Sequence, residues 1–99
     1  MAKSKMDFEK KVEKLSQFSK ALGHPVRIKI FKYLESNSYC YVKDIQKILP
    51  LAQSTISQHL KELKKSGLVN SESVATKTKY SINWSKWQYA KALFNNIFR

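Results

Sequence analysis

The stretch that decides the fold reads Val42-Lys-Asp-Ile-Gln-Lys-Ile-Leu-Pro50-Leu-Ala-Gln53-Ser-Thr-Ile-Ser-Gln-His-Leu60-Lys-Glu-Leu-Lys-Lys-Ser-Gly67-Leu-Val69. Val42, Ile45, Ile48 and Leu49 mark a short helix. Pro50 ends it, because the residue before a proline avoids helical geometry. A longer helix is predicted over about Gln53 to Ser66, stopped by Gly67. At ~100° per residue, Ile56, Leu60 and Leu63 fall in one narrow sector, while Ser54, Ser57, Gln58, Lys61 and Lys65 occupy the opposite one. A short helix, a turn and a helix with a polar outer face form a helix-turn-helix. In that motif the second helix lies in the DNA major groove and its N-terminal half reads base edges.

The residue types on that outer face fit such chemistry. Gln58 can bond adenine N6 and N7 in bidentate fashion, and Ser54, Thr55 and Ser57 can donate to or accept from base or phosphate. Gln53 opens the same helix. Lys61, Lys64 and Lys65 follow a turn later, where a cation meets the phosphate backbone and adds affinity more than specificity. Ala52 stands where a capping Ser, Thr, Asp or Asn would serve the helix start, a loss of ~1 kcal/mol.

Working outward, Leu68 and Val69 continue the core, and residues 69–82 carry Val, Thr, Tyr and Ile at alternating places. Two short strands are predicted there. No glycine sits near Ala75-Thr76, which argues against a tight two-residue hairpin and for a longer loop. Lys77 and Lys79 would make this pair a wing against phosphate. On the other side, Phe8, Val12, Leu15, Phe18 and Leu22 mark a helix over roughly residues 7–22, preceded by a flexible basic tail, residues 1–6. Gly23-His24-Pro25 interrupts it, and a further helix from about Pro25 to Glu35 turns Val26, Ile30, Phe31 and Leu34 inward. Ser36-Asn37-Ser38 is a turn; Tyr39-Cys40-Tyr41-Val42 is β-prone. From Asn83, Trp84, Trp87, Ala90, Leu93, Phe94, Ile97 and Phe98 make a last, heavily apolar helix. The expected architecture is mainly α with a small β-hairpin wing, in the order α-α-α-α-β-β-α: a single winged helix-turn-helix domain over residues 7–99.

Composition agrees. The 99 residues leave room for one core, and a hydrophobic share of 42% is enough to build it. The net charge of +12 points to a polyanionic partner, nucleic acid before an anionic membrane. The basic excess is three in each of residues 1–20, 21–52, 53–79 and 80–99, so charge alone does not locate the site. The longest apolar run, Ile48 to Ala52, is far below the ~20 residues of a membrane span, and no apolar segment follows the N-terminal Met-Ala-Lys-Ser-Lys-Met. One cysteine excludes an internal disulfide framework and fits a reducing cytoplasm. No nucleophile–base–acid set, phosphate-cradling glycine loop or metal-ligand cluster is visible, so neither an enzyme nor a cofactor is expected.

Two segments carry a resemblance. Ala21-Leu-Gly-His-Pro-Val-Arg-Ile-Lys-Ile-Phe31 and Ser54-Thr-Ile-Ser-Gln-His-Leu-Lys-Glu-Leu-Lys-Lys-Ser-Gly-Leu-Val69 are similar to signatures of the ArsR/SmtB family of bacterial winged-helix repressors. The resemblance covers about residues 15–82. It implies a homodimer joined by its first and last helices, and repression by occupying a promoter under the control of an effector. The usual metal positions are not matched. Family sensors often carry Cys-x-Cys-Asp before the turn; aligned on Asp44, those cysteine places hold Tyr41 and Lys43, with Cys40 one position outside. Residues 84–99 contain no His, Asp, Glu or Cys. A metal site is therefore not expected.

Seven of the 12 aromatic residues, Phe8, Phe18, Trp84, Trp87, Tyr89, Phe94 and Phe98, lie on the two terminal helices. So small a core cannot cover them all, and an isologous interface can. Its expected members are Phe8, Val12, Leu15, Trp87, Ala90, Leu93, Phe94 and Ile97. Cys40 reads as a packed thiol, with a redox sensor as the alternative; His59 reads as structural and His24 as capping or lining a helix start. Arg27 could meet phosphate or pair with Asp44 or Glu62. The reading is a homodimeric, sequence-specific regulator of a near-palindromic DNA duplex. Its competitors are a winged-helix interaction module and a non-specific nucleic-acid binder.

Overall fold

The computed structural model describes residues 2–99. Seven elements follow in order: α1 Ala2–Ala21, α2 Pro25–Ser36, α3 Val42–Gln46, α4 Gln53–Lys65, β1 Val69–Val74, β2 Lys77–Ile82 and α5 Trp84–Ile97. The order is the one expected. Its first helix differs: α1 begins at Ala2, so residues 2–6, expected as a tail, are helical, while Met1 lies outside the described residues. A basic composition does not by itself prevent a helix, since Ala, Lys and Met are good helix formers.

Local chemistry sets the boundaries. His24 caps α2: its Nδ1 accepts from the backbone N–H of Val26 at 3.1 Å, and Pro25 occupies the first turn, where its missing N–H costs nothing. Asp44 Oδ2 accepts from the N–H of Tyr41 at 2.7 Å and closes the start of α3. Asn83 Oδ1 accepts from Lys86 N–H at 3.1 Å at the start of α5. After α4, Gly67 takes φ +89°, a left-handed geometry that glycine enters without a Cβ penalty.

The core is one cluster fed by every helix. Phe18, Ile30, Phe31, Leu34, Ile45, Ile56, Leu60, Leu63, Leu68, Ala90 and Leu93 are buried together. α1 packs on α5, and α4 packs on α2, α3 and β1. The strands pair antiparallel from Val69↔Ile82 to Val74↔Lys77. That register leaves only Ala75 and Thr76 in the loop, which corrects the expected longer connection. The tight turn is made without glycine because Ala75 itself adopts φ +55°. The β-prone stretch at residue 40 also pairs: Cys40 and Tyr80 exchange backbone hydrogen bonds of 2.8 and 2.9 Å, extending the sheet by a single antiparallel bridge.

Candidate nucleic-acid interface

The α4 helix is divided as its sequence pattern requires. Ile56, Leu60 and Leu63 have 0% exposure, anchoring the inner side. Gln53, Ser54, Thr55, Gln58, Lys61, Lys64 and Lys65 are exposed, and Ser57 is half-buried. The eight residues expected to face DNA thus share the open part of one rigid element. Ala52, the N-cap of α4, gives the helix no side-chain cap, as expected from its identity.

The wing projects behind α4. Its root is held by buried Val69, Tyr80 and Ile82, and its tip is exposed. Lys77 is exposed, whereas Lys79 is half-buried and engaged: its ammonium lies 3.8 Å from Glu72 Oε1, directly across the strand pair, and 4.5 Å from the centre of the Tyr39 ring. Lys77 similarly lies 5.5 Å from the centre of the Tyr41 ring. The sequence reading assigns these two tyrosines no place at the DNA interface. The signal was present, however, since Tyr39-x-Tyr41 and Lys77-x-Lys79 share the two-residue period of neighbouring strands.

Arg27 pairs with a histidine and two carbonyls in place of the expected acids. Its Nε donates to His59 Nδ1 at 3.1 Å, and its Nη1 donates to the carbonyls of Lys20 and Ala21, both at 3.3 Å. It thereby ties the end of α1 and the flank of α4 to α2. Among the described residues it forms no ion pair with Asp44 or Glu62. The rings of His24 and His59 stand 4.4 Å apart, beside this bond. Burial, then the neighbouring His24 and Arg27, lower the His59 pKa and favour its neutral, accepting form. Cys40 is fully buried, and desolvation reinforced by Asp44 pushes its thiol up to about 12. A thiol so protonated is inert near neutrality, which speaks against redox sensing. No group of three or more His, Cys, Asp or Glu placed to hold a metal ion occurs among the described residues.

On the far side, α1 and α5 enclose an apolar cleft of about 410 Å³, lined by Leu15, Phe18, Leu22, Trp87, Ala90 and Phe94. Of the residues expected at an interface, Phe8, Val12 and Phe94 are exposed, and Trp87 and Ile97 are half-buried. Leu15, Ala90 and Leu93 are buried within the chain itself, where they join α1 to α5. Their stripe position was legible, but one chain is enough to cover them.

Residues 24–71, from the cap of α2 into β1, match the family model described as bacterial regulatory protein, arsR family. An uncharacterized HTH-type transcriptional regulator of Methanocaldococcus jannaschii is 42% identical over 73 residues, 73% of this chain and 81% of that protein. The chain belongs to the ArsR family of transcriptional regulators. The transcriptional repressor PagR of Bacillus anthracis is 34% identical over 82 residues, 83% of this chain and 82% of its own. The structure of reduced HlyU from Vibrio cholerae, 28% identical, superposes with a TM-score of 0.74 over 93% of this chain and 96% of that one. As an ArsR-family member the protein is a DNA-binding transcriptional regulator and not an enzyme, and the winged helix-turn-helix is its family fold. Among the described residues, no helix is long and apolar enough to cross a membrane.

Proposed function

We propose that this ArsR-family regulator acts in the cytoplasm as a homodimeric repressor that reads a near-palindromic duplex through α4 and needs no bound metal to do so. The observation that carries the reading is the division of α4. Its apolar side is sunk completely into the core, so the helix is fixed, while Gln53, Ser54, Thr55, Ser57 and Gln58 crowd its N-terminal half with base-reading groups. An adaptor that used this face for a protein partner would present apolar anchors there instead.

The dimer is supported by the open apolar cleft between α1 and α5, which Phe94 lines, and by the exposed apolar side chains of Phe8, Val12 and Phe98. Repression is supported by the likeness to PagR, named as a transcriptional repressor. Independence of metal is supported by Tyr41 and Lys43 at the positions where related sensors carry thiols, and by an α5 that has no His, Cys, Asp or Glu.

Selection of bound sites from a random duplex library, at fixed salt, tests the reading. It should return a two-fold symmetric sequence whose half-sites lie ~34–36 Å apart, one helical turn. Recovery of no preferred sequence would favour non-specific binding, to which the even spread of charge along the chain would then belong.

A further inference from the structure

The backbone bridge between Cys40 and Tyr80 places the tyrosine segment beside β2 in a defined antiparallel register. Cys40 and Tyr80 turn into the core, with 0% and 5% exposure. Their neighbours at odd positions therefore share the opposite face: Tyr39 and Tyr41 from one segment, Lys77 and Lys79 from the other. Each lysine meets the tyrosine diagonal to it, Lys79 with Tyr39 at 4.5 Å and Lys77 with Tyr41 at 5.5 Å. Long side chains reach such diagonal partners across a strand pair. The two rings also hold each other, edge to face, with centres 5.7 Å apart. The result is a two-rung ladder of cations on aromatic faces along β2.

We propose that Tyr39 and Tyr41 are positioning residues for phosphate binding by the wing: they hold the ammonium groups of Lys79 and Lys77 ready for the DNA backbone. This rests on the reading above, in which the wing meets DNA. A free lysine gives up rotamer freedom when it binds phosphate, and one resting on a ring has surrendered part of it in advance. A ring neutralises no charge, so the ammonium keeps its full attraction for phosphate and still has N–H groups to donate. Glu72 shares Lys79 in the free protein through an exposed, salt-screened contact of 3.8 Å, and a phosphate competes with it for the same ammonium.

The test needs no operator, because phosphate contacts are independent of sequence. Anisotropy with a mixed-sequence duplex of about 30 base pairs, from about 50 to about 200 mM salt, gives both affinity and its salt slope. The double variant Tyr39→Leu/Tyr41→Leu should bind about three- to tenfold more weakly with the slope retained, and Tyr39→Phe/Tyr41→Phe should stay within about twofold of the native protein. Native affinity in the leucine pair, or an equal loss in the phenylalanine pair, would overturn the proposal. Lys77→Ala/Lys79→Ala should lower the slope by ~1.8 per wing, ~3.6 for a dimer with both wings engaged, at ~0.9 per phosphate; an unchanged slope would instead overturn the reading of the wing beneath it. The unmutated protein supplies an independent check, since the ε-methylene protons of Lys79 should show upfield ring-current shifts. Random-coil shifts for those protons would also overturn the proposal.

Discussion

His59 shows how much of the site rests on single side chains. Its Nδ1 accepts from Arg27, and the Nδ1 of His24, 4.4 Å away ring to ring, accepts from Val26, so both acceptors require unprotonated nitrogen. Burial, His24 and Arg27 lower the folded His59 pKa below the ordinary 6.5. The unfolded chain therefore takes up this proton first as pH falls. The stability contributed by neutral His59 is complete above about 6.5 and is lost as pH drops from there through the lowered folded value. Urea unfolding at pH about 7.5 and about 5.5 should show the loss, and His59→Gln, which keeps an acceptor, should reduce it. An equal loss in the variant would remove His59 from the account. Only part of this was legible in the sequence. A cap at His24 follows from its place before Pro25, but the partner of Arg27 lies 32 residues away. Nothing local distinguishes a histidine acceptor from the carboxylates of Asp44 and Glu62.

At the level of elements, periodic burial was readable and backbone strain was not. The helices α2, α4 and α5 stand close to their expected bounds because each carries an apolar stripe with a capping or stop residue at an end. The wing loop departs from expectation because a composition rule was outweighed by strand pairing. The ladder from Val69↔Ile82 to Val74↔Lys77 leaves two residues to turn the chain, and Ala75 accepts φ +55° to do it. A left-handed non-glycine residue costs ~1–2 kcal/mol. Ala75→Gly should relieve that strain, and the greater freedom of glycine in the unfolded chain offsets part of the gain. The expected net effect is a stabilisation of ~0.5–1 kcal/mol in denaturant unfolding, with the hairpin register unchanged. Destabilisation by a similar amount would show that the turn is not strained. The tyrosine ladder escaped the sequence reading for a related reason: one backbone bridge at Cys40 creates it, and a four-residue β-prone stretch does not announce its partner.

The whole molecule is longer than its mass suggests, with a radius of gyration of 15.2 Å and extents of 51 × 26 × 22 Å. A compact domain of this length would have about 13 Å. A 20-residue α1 with Phe8 and Val12 exposed, 53% and 42%, accounts for that shape together with Phe94 on α5 and Phe98 just past its end, 55% and 65%. Apolar surface of this extent on a helix pair is what a second copy would cover. Sedimentation should report a dimer at about 50 μM, with an interface above ~1,000 Å², and Phe94→Lys should shift it to a folded monomer because Phe94, unlike Leu93, is not part of the core. A native monomer at that concentration would exclude the proposed interface. The central claim is that α4 reads bases, and the most direct measurement compares Gln58→Ala with the native protein on a selected duplex and on a random one at the same salt. The account predicts a loss of ~1–3 kcal/mol on the selected duplex, relaxed base choice at one position per half-site, and almost no change on the random one. Equal weakening on both duplexes would contradict it.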